Sequence, residues 1–204
     1  FVNLELITLS FTAIVMRPSW SSQQPRRRAT DAFIVAPRPA VTLSSMLSGS
    51  NVPERESVWD YPRPPRIEPV AWHLLVEHDG ETLAETRGGV RVLETSHPPC
   101  YYFPPDDVDF AWLEPSPMQT FCEWKGRARY WHLRGKNGLV EDACWAYPDP
   151  IDESIRDFVS FYARAVDACY VAGERVKPQE GDFYGGWITS WVEGPFKGGP
   201  GTRG

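Results

Sequence analysis

The sequence predicts a mainly β, antiparallel domain with one short helix, preceded by a disordered N-terminal extension over residues 1–56. Three observations carry this reading. Twenty prolines and sixteen glycines among 204 residues favour short strands joined by turns over long helices. Three dipeptides of the hairpin kind, Asp79-Gly80, Asn137-Gly138 and Ala172-Gly173, each lie between runs of strand-forming residues. The texture also changes near residue 57, since eight of the nine tryptophans follow residue 58.

The extension is read first. "LELITLSFTAIVM", residues 4–16, is apolar but too short to span a bilayer. Glu5 stands where a secretory signal needs basic residues, and no initiator Met begins the chain. "SSQQPRRRAT" and "SSMLSGSNVPERES" bury too little apolar surface to fold. "RRRAT" has the pattern of a basophilic kinase site at Thr30, and a solvated charge run is the expected reading. The second domain is expected over residues 57–204. "VAWHLLVEHDGETLAETRG" reads as two strands about Asp79-Gly80, "RARYWHLRGKNGLVEDACWAY" as two more, and "VDACYVAGERVKP" as a third hairpin. "PIDESIRDFVSFY" predicts the helix, with Pro150 opening it and acids in its first turn.

Charge and cysteines exclude several classes of function. The net charge is −6. Residues 1–56 carry six Arg against four Asp or Glu, or +2, which leaves −8 on residues 57–204. An acidic body lacks the basic face that phosphate contact requires, so no nucleic-acid partner is expected, and no segment points to a membrane. Cys100, Cys122, Cys144 and Cys169 stand 22, 22 and 25 residues apart, with no C-x-x-C pair to present a structural zinc. No metal and no cofactor are expected, and the cysteines read as buried, reduced thiols of a cytoplasmic protein.

A series of motifs then carries a resemblance. "SVWDYPRPPRIEP", "RVLETSHPPCYYFPPDDV", "FCEWKGRARYW", "ACWAYPDP", "VSFY", "FYGGWITS" and "GPFKGGPGT" occur in one order. In residues and spacing they resemble the domain of unknown function 427 family, sometimes labelled nucleotidyltransferase-like, over about residues 57–204. The family's glycine-tryptophan ending is missing here, which suggests a clipped or altered C-terminus. The resemblance implies a β-tent, or Mss4-like, fold: two small antiparallel sheets leaning together. Some members of that fold group hold zinc between C-x-x-C hairpins, which this chain lacks. Others bind small cyclic ligands in a cage of aromatic side chains, an analogy at the level of fold alone.

A nucleotidyltransferase needs metal-binding carboxylates near a phosphate-gripping loop. Asp106, Asp107 and Asp109 could meet at one cation, but turns use aspartate in the same way to cap backbone N–H groups. "GPFKGGPG" supplies glycines and Lys197 without the G-x-x-x-x-G-K-[ST] spacing of a phosphate loop. His97 lies near Ser96 and Cys100, yet Pro98 and Pro99 hold the chain between them extended and separate those side chains. The densest signal is aromatic. Rings beside polar groups describe an ordinary small-molecule pocket. Tyr101, Trp124, Lys125, Trp145, Tyr147 and Trp187 are therefore the candidate ligand-binding residues, with Lys125 the donor to a carbonyl or anionic oxygen. Period-two alternation turns Tyr101 and Phe103 one way and Tyr102 the other, so at least one tyrosine should line the gap between sheets.

The function expected is the binding of a small cyclic or nucleotide-like ligand. A nucleotide-acting enzyme would instead need two or more acids converging on Lys125 or Lys197. A protein-interaction module would show a flat apolar patch and no pocket. No oligomeric state is encoded in any of these motifs.

Overall fold

A computed structural model describes residues 54–181 and 183–199. Residues 1–53 of the expected extension, with the kinase-like "RRRAT" and the apolar segment at 4–16, lie outside the described residues, as does the C-terminal end from residue 200. The strands begin with β1 (Glu56–Ser57), β2 (Arg66–Pro69), β3 (Leu74–His78), β4 (Glu81–Thr86), β5 (Val90–Glu94) and β6 (His97–Tyr102). Long strands follow: β7 (Leu113–Cys122), β8 (Gly126–Gly135) and β9 (Gly138–Pro150). Short ones close the chain: β10 (Val159–Phe161), β11 (Ala168–Val171), β12 (Glu174–Arg175), β13 (Lys177–Pro178), β14 (Trp187–Ile188) and β15 (Val192–Glu193).

Among the described residues these strands form five sheets. Two have four strands, in the orders β10-β9-β8-β7 and β12-β11-β3-β4, and one has three, β2-β5-β6. The antiparallel pair β13-β14 and the parallel pair β1-β15 are the small remainder. The mainly β, antiparallel character is therefore as the sequence indicates, spread over several small sheets. Glu56, placed by the sequence reading in the extension, is already the first residue of β1 and pairs with Val192.

Two of the three hairpins turn where expected. Asp79 and Gly80 have φ of 53° and 80°, and Ala172 and Gly173 have 53° and 83°, the pairs of positive φ that a tight hairpin turn needs. The third turn is shifted by one residue. Gly135 pairs with Gly138, so Lys136 and Asn137 make the turn and Gly138 opens β9.

The expected helix is absent. Residues 153–155 form a single 3-10 turn capped by Asp152, whose side chain accepts from the Ser154 N–H at 3.0 Å. Residues 159–161 then form β10, paired antiparallel with β9 at Val159↔Ala146, Ser160↔Trp145 and Phe161↔Cys144. The acids Asp152 and Glu153 do start a turn, but only one, and Pro150 ends β9 instead of opening a helix. Val159, Ser160 and Phe161 are fully buried on both sides of the strand, a burial that one amphipathic helix face would not give.

Alternation along the central strands divides the interior in two. On β9, Cys144 and Ala146 point into the larger core, while Trp145 and Tyr147 point into a second, aromatic cluster. The chain at β6 splits in the same way: Tyr101 and Phe103 enter the larger core, and Tyr102 the second cluster. β8 sends Ala128 and Tyr130 to the second cluster and, after a register shift between Trp131 and Leu133, sends Leu133 to the first. Just past β6, Phe103 exchanges backbone hydrogen bonds of 2.8 and 2.9 Å with Val159 of β10. That pair joins the β2-β5-β6 sheet to the β9 sheet and holds Tyr102 against Trp145.

Candidate aromatic cleft

The second cluster does not close over itself. It leaves a cleft of about 190 Å3 whose inner wall includes Tyr102, Tyr130, Trp145, Tyr147 and Tyr162. Backbone register aims these rings together. Tyr130 and Trp145 are cross-strand partners on β8 and β9, and Tyr162 follows β10 directly. Trp145 Nε1 donates to the Tyr102 hydroxyl at 3.2 Å, and the Trp145 and Tyr162 ring centroids lie 4.5 Å apart. The Tyr130 and Thr120 hydroxyls are 2.8 Å apart, and Tyr162 donates to the Phe183 carbonyl at 3.2 Å. Gly185 allows this packing. A Cβ there would lie 2.3 Å from Trp145 Cη2, so any side chain at 185 would displace the indole.

A charged wall faces the rings. Glu94 ends β5 and pairs with His97, the first residue of β6, across the tight turn at Thr95 and Ser96, with Ser96 at φ 66°. Lys197 Nζ donates to Glu94 Oε1 at 2.9 Å. Lys125 Nζ approaches Glu94 Oε2 at 3.8 Å, close enough for an ion pair and too far for a hydrogen bond. The three side chains are only 12–15% exposed. Arg63, more than half exposed, lies 3.7 Å from Glu94 and 3.9 Å from Glu123. The backbone fixes Lys197: its N–H donates to the Ser96 carbonyl at 2.9 Å, and its carbonyl accepts from Gln179 Nε2 at 2.7 Å. Its ammonium also sits 5.0 Å from the centre of the Tyr184 ring, which packs edge-on against His97.

These charges set protonation states. Burial disfavours ionised Glu94, but the Lys197 hydrogen bond and the Lys125 and Lys197 charges outweigh it and hold the carboxyl below the usual carboxylate range. Burial, then Lys197 and Lys125, hold the His97 imidazole down at about 4, against the opposing pull of the Pro98 carbonyl and Glu94. His97 Nδ1 lies 2.5 Å from that carbonyl, which can only accept, so Nδ1 carries the proton and Nε2 keeps its lone pair. Burial pushes the Cys100 thiol up to about 12, so it is not a thiolate near neutral pH.

Trp124, Lys125, Trp145 and Tyr147 all line the cleft. Tyr101 and Trp187 do not. Both are fully buried in the larger core, with ring centroids 5.3 Å apart, and Trp187 Nε1 donates to the Phe161 carbonyl at 2.9 Å. Alternation explains the exchange at β6: Tyr102, one residue on, faces the cleft in place of Tyr101. Sequence reasoning also missed Glu94 and Tyr162 as site residues, and passed over His97 and Lys197 after weighing them. The hairpin pairing of Glu94 with His97 was the available signal, inside the stretch "ETSHPP".

The metal readings find other uses for their residues. Asp106 and Asp107 lie in a 3-10 turn, and Asp109 caps the next one by accepting from the Ala111 N–H at 3.0 Å. Among the described residues no group of three His, Cys, Asp or Glu side chains is arranged to hold a metal ion. All four cysteines are free, Cys144 and Cys169 buried and Cys100 and Cys122 half-buried in the cleft wall. Among the described residues no helix is long and apolar enough to cross a membrane.

A comparison with curated proteins returned no match. A family model described as Domain of unknown function (DUF427) matches residues 66–172, just over half of the chain. The match begins at β2 and ends in the β11–β12 turn, so it includes Glu94, His97, Tyr102, Lys125 and Trp145 and stops short of Lys197. The motifs noted in the sequence and this match agree: the chain belongs to the domain of unknown function 427 family.

Proposed function

We propose that this protein binds a small ring-bearing molecule in the aromatic cleft. One observation carries the reading: aromatic side chains from β6, β8, β9 and the segment after β10 converge on a space that none of them fills, beside a mostly buried charged trio. Rings with a few fixed polar groups are the usual lining of a small-molecule site. A volume of about 190 Å3 suits a single ring system, since drug-sized ligands occupy roughly 300–1,000 Å3. Phe121 and Phe183 stand 73% and 69% exposed at the rim, available to cover an occupant. The aromatic cages of β-tent proteins point the same way by analogy. The four unpaired cysteines suit a reducing cytoplasm.

The alternative of a nucleotide-acting enzyme has less support. It needs two or more acids converging with a lysine. Here Glu94 is the mostly buried acid, and Glu123 is 66% exposed and pairs with Arg63. A flat interaction patch is disfavoured because Phe121 and Phe183 border a concavity.

Thermal melts against a panel of one- and two-ring compounds test the proposal, alongside native mass spectrometry of the purified protein. At a hundred times Kd a bound compound should raise Tm by roughly 5 °C or more. Tyr162→Ala should reduce the shift. A panel without a single shift, with no retained small molecule, would remove the proposal.

A further inference from the structure

Two adjacent residues of the cleft wall carry donors without an acceptor. The Lys125 ammonium has no hydrogen-bond acceptor among the described residues, Glu94 Oε2 being 3.8 Å away. The indole N–H of Trp124, the adjacent residue, is buried with no partner. The unpaired donors coincide with an excess of positive charge. Lys197 and Glu94 form a hydrogen-bonded pair at 2.9 Å, which neutralises both and leaves Lys125 as a 15%-exposed cation. Arg63 does not offset it, because Arg63 is itself positive and turns toward Glu94 and Glu123 at the mouth. Lys125 is a mostly buried cation whose nearest acid is already hydrogen-bonded to Lys197, so a further anionic oxygen within hydrogen-bond reach would stabilise it.

Resting on the small-ligand reading above, we infer that the occupant is an anion, a single-ring compound whose carboxylate or comparable anionic oxygen accepts a hydrogen bond from Lys125 Nζ. The ring lies against the wall of Trp145, Tyr147 and Tyr162, and the Lys197–Glu94 pair fixes where Lys125 can stand. Lys197 is the positioning partner, and Lys125 alone touches the ligand's charge. Charge-assisted hydrogen bonds made out of water are stronger than neutral ones, so the charge should be read as affinity.

Matched acid and amide pairs test this on the full chain: benzoate with benzamide, nicotinate with nicotinamide, and orotate with orotamide. Isothermal titration at low salt should show the acid of at least one pair binding roughly tenfold or more tighter than its amide. Lys125→Met should reduce that preference to within about threefold, while Lys125→Arg keeps it and melting temperatures confirm that both variants are folded. Amides that bind as tightly as their acids would overturn the anion assignment and leave the small-ligand reading standing. So would a Lys125→Met protein that is folded and keeps the preference. Failure of both members of every pair, while neutral rings outside the pairs still bind, would overturn the anion assignment alone. Failure of every ring compound would overturn both.

Discussion

Lys197 Nζ donates to Glu94 Oε1 at 2.9 Å across 103 residues of sequence, with both side chains nearly seven-eighths buried. A strand end and the C-terminal segment thereby meet at one carboxylate, which also faces Lys125. The arrangement is asymmetric: two ammonium groups depend on one acid.

Removing the acid should therefore cost more than removing either lysine. Glu94→Gln leaves two mostly buried cations without their acid, and a loss on the order of 3 kcal/mol is expected. Lys197→Met leaves Glu94 with Lys125 and should cost less. Urea unfolding of both variants checks this. Equal losses would mean that the trio is solvated enough to be screened.

The pH dependence follows from His97. Its folded imidazole titrates at about 4, below the ordinary value of 6.5. As pH falls from about 6.5 to 4, the unfolded chain takes up a proton that the folded chain refuses. Stability should fall across that window, by on the order of 3 kcal/mol, and this contribution should level off below it. Glu94 adds a separate loss at the acid end, because its carboxyl is held low: that stability is present above the unfolded carboxylate value and disappears as pH falls through the folded one. Replacing His97 with Gln should flatten the curve between pH 6.5 and 5. An unchanged slope in that variant would show that His97 takes up its proton over the same pH range in the folded and the unfolded chain.

Gly185 should tolerate nothing larger. A methyl group there meets the Trp145 indole at 2.3 Å, so Gly185→Ala must move the ring or the chain, at a cost of about 1–3 kcal/mol. Near-ultraviolet circular dichroism should report a displaced indole. A spectrum and a melting temperature identical to those of the parent would contradict the packing described.

The two aromatic clusters should answer differently to truncation. Trp187, fully buried in the larger core, should lose about 3–5 kcal/mol on Trp187→Ala. Phe183→Ala at the rim should stay within about 0.5 kcal/mol. Trp145→Ala should fall between them, because one face of that indole borders the cleft.

Much of the fold was legible in local patterns. Asp79-Gly80 makes the turn that its residue types favour, Gly173 marks the other although Ala172 takes φ 53° against its preference, and the opposite facing of Tyr101 and Tyr102 follows from strand period alone. Period two states that two side chains diverge. It does not state which of two aromatic interiors is filled, and both here are built from Tyr, Trp and Phe. Tyr101 and Trp187 were accordingly assigned to the site and belong to the larger core. The helix expected after Pro150 failed because start signals are local, whereas pairing of Val159–Phe161 with β9 depends on register set elsewhere. The Glu94–Lys197 pair had no local signature at all, since 103 residues separate its members. "GPFKGGPG" carries no phosphate-loop spacing, and nothing in it places its one lysine at the cleft.

The most direct test of the small-ligand account uses the tryptophans as reporters. Nine indole N–H resonances should be resolvable in a nitrogen-15 correlation spectrum of the full chain. They can be assigned by single Trp→Phe replacements and followed during titration with the best ring compound from the thermal panel. The account predicts that Trp124 and Trp145 shift in a saturable way while Trp187 and Trp191, buried in the larger core, stay fixed. Saturable shifts at Trp187 or Trp191, with Trp124 and Trp145 unmoved, would contradict it.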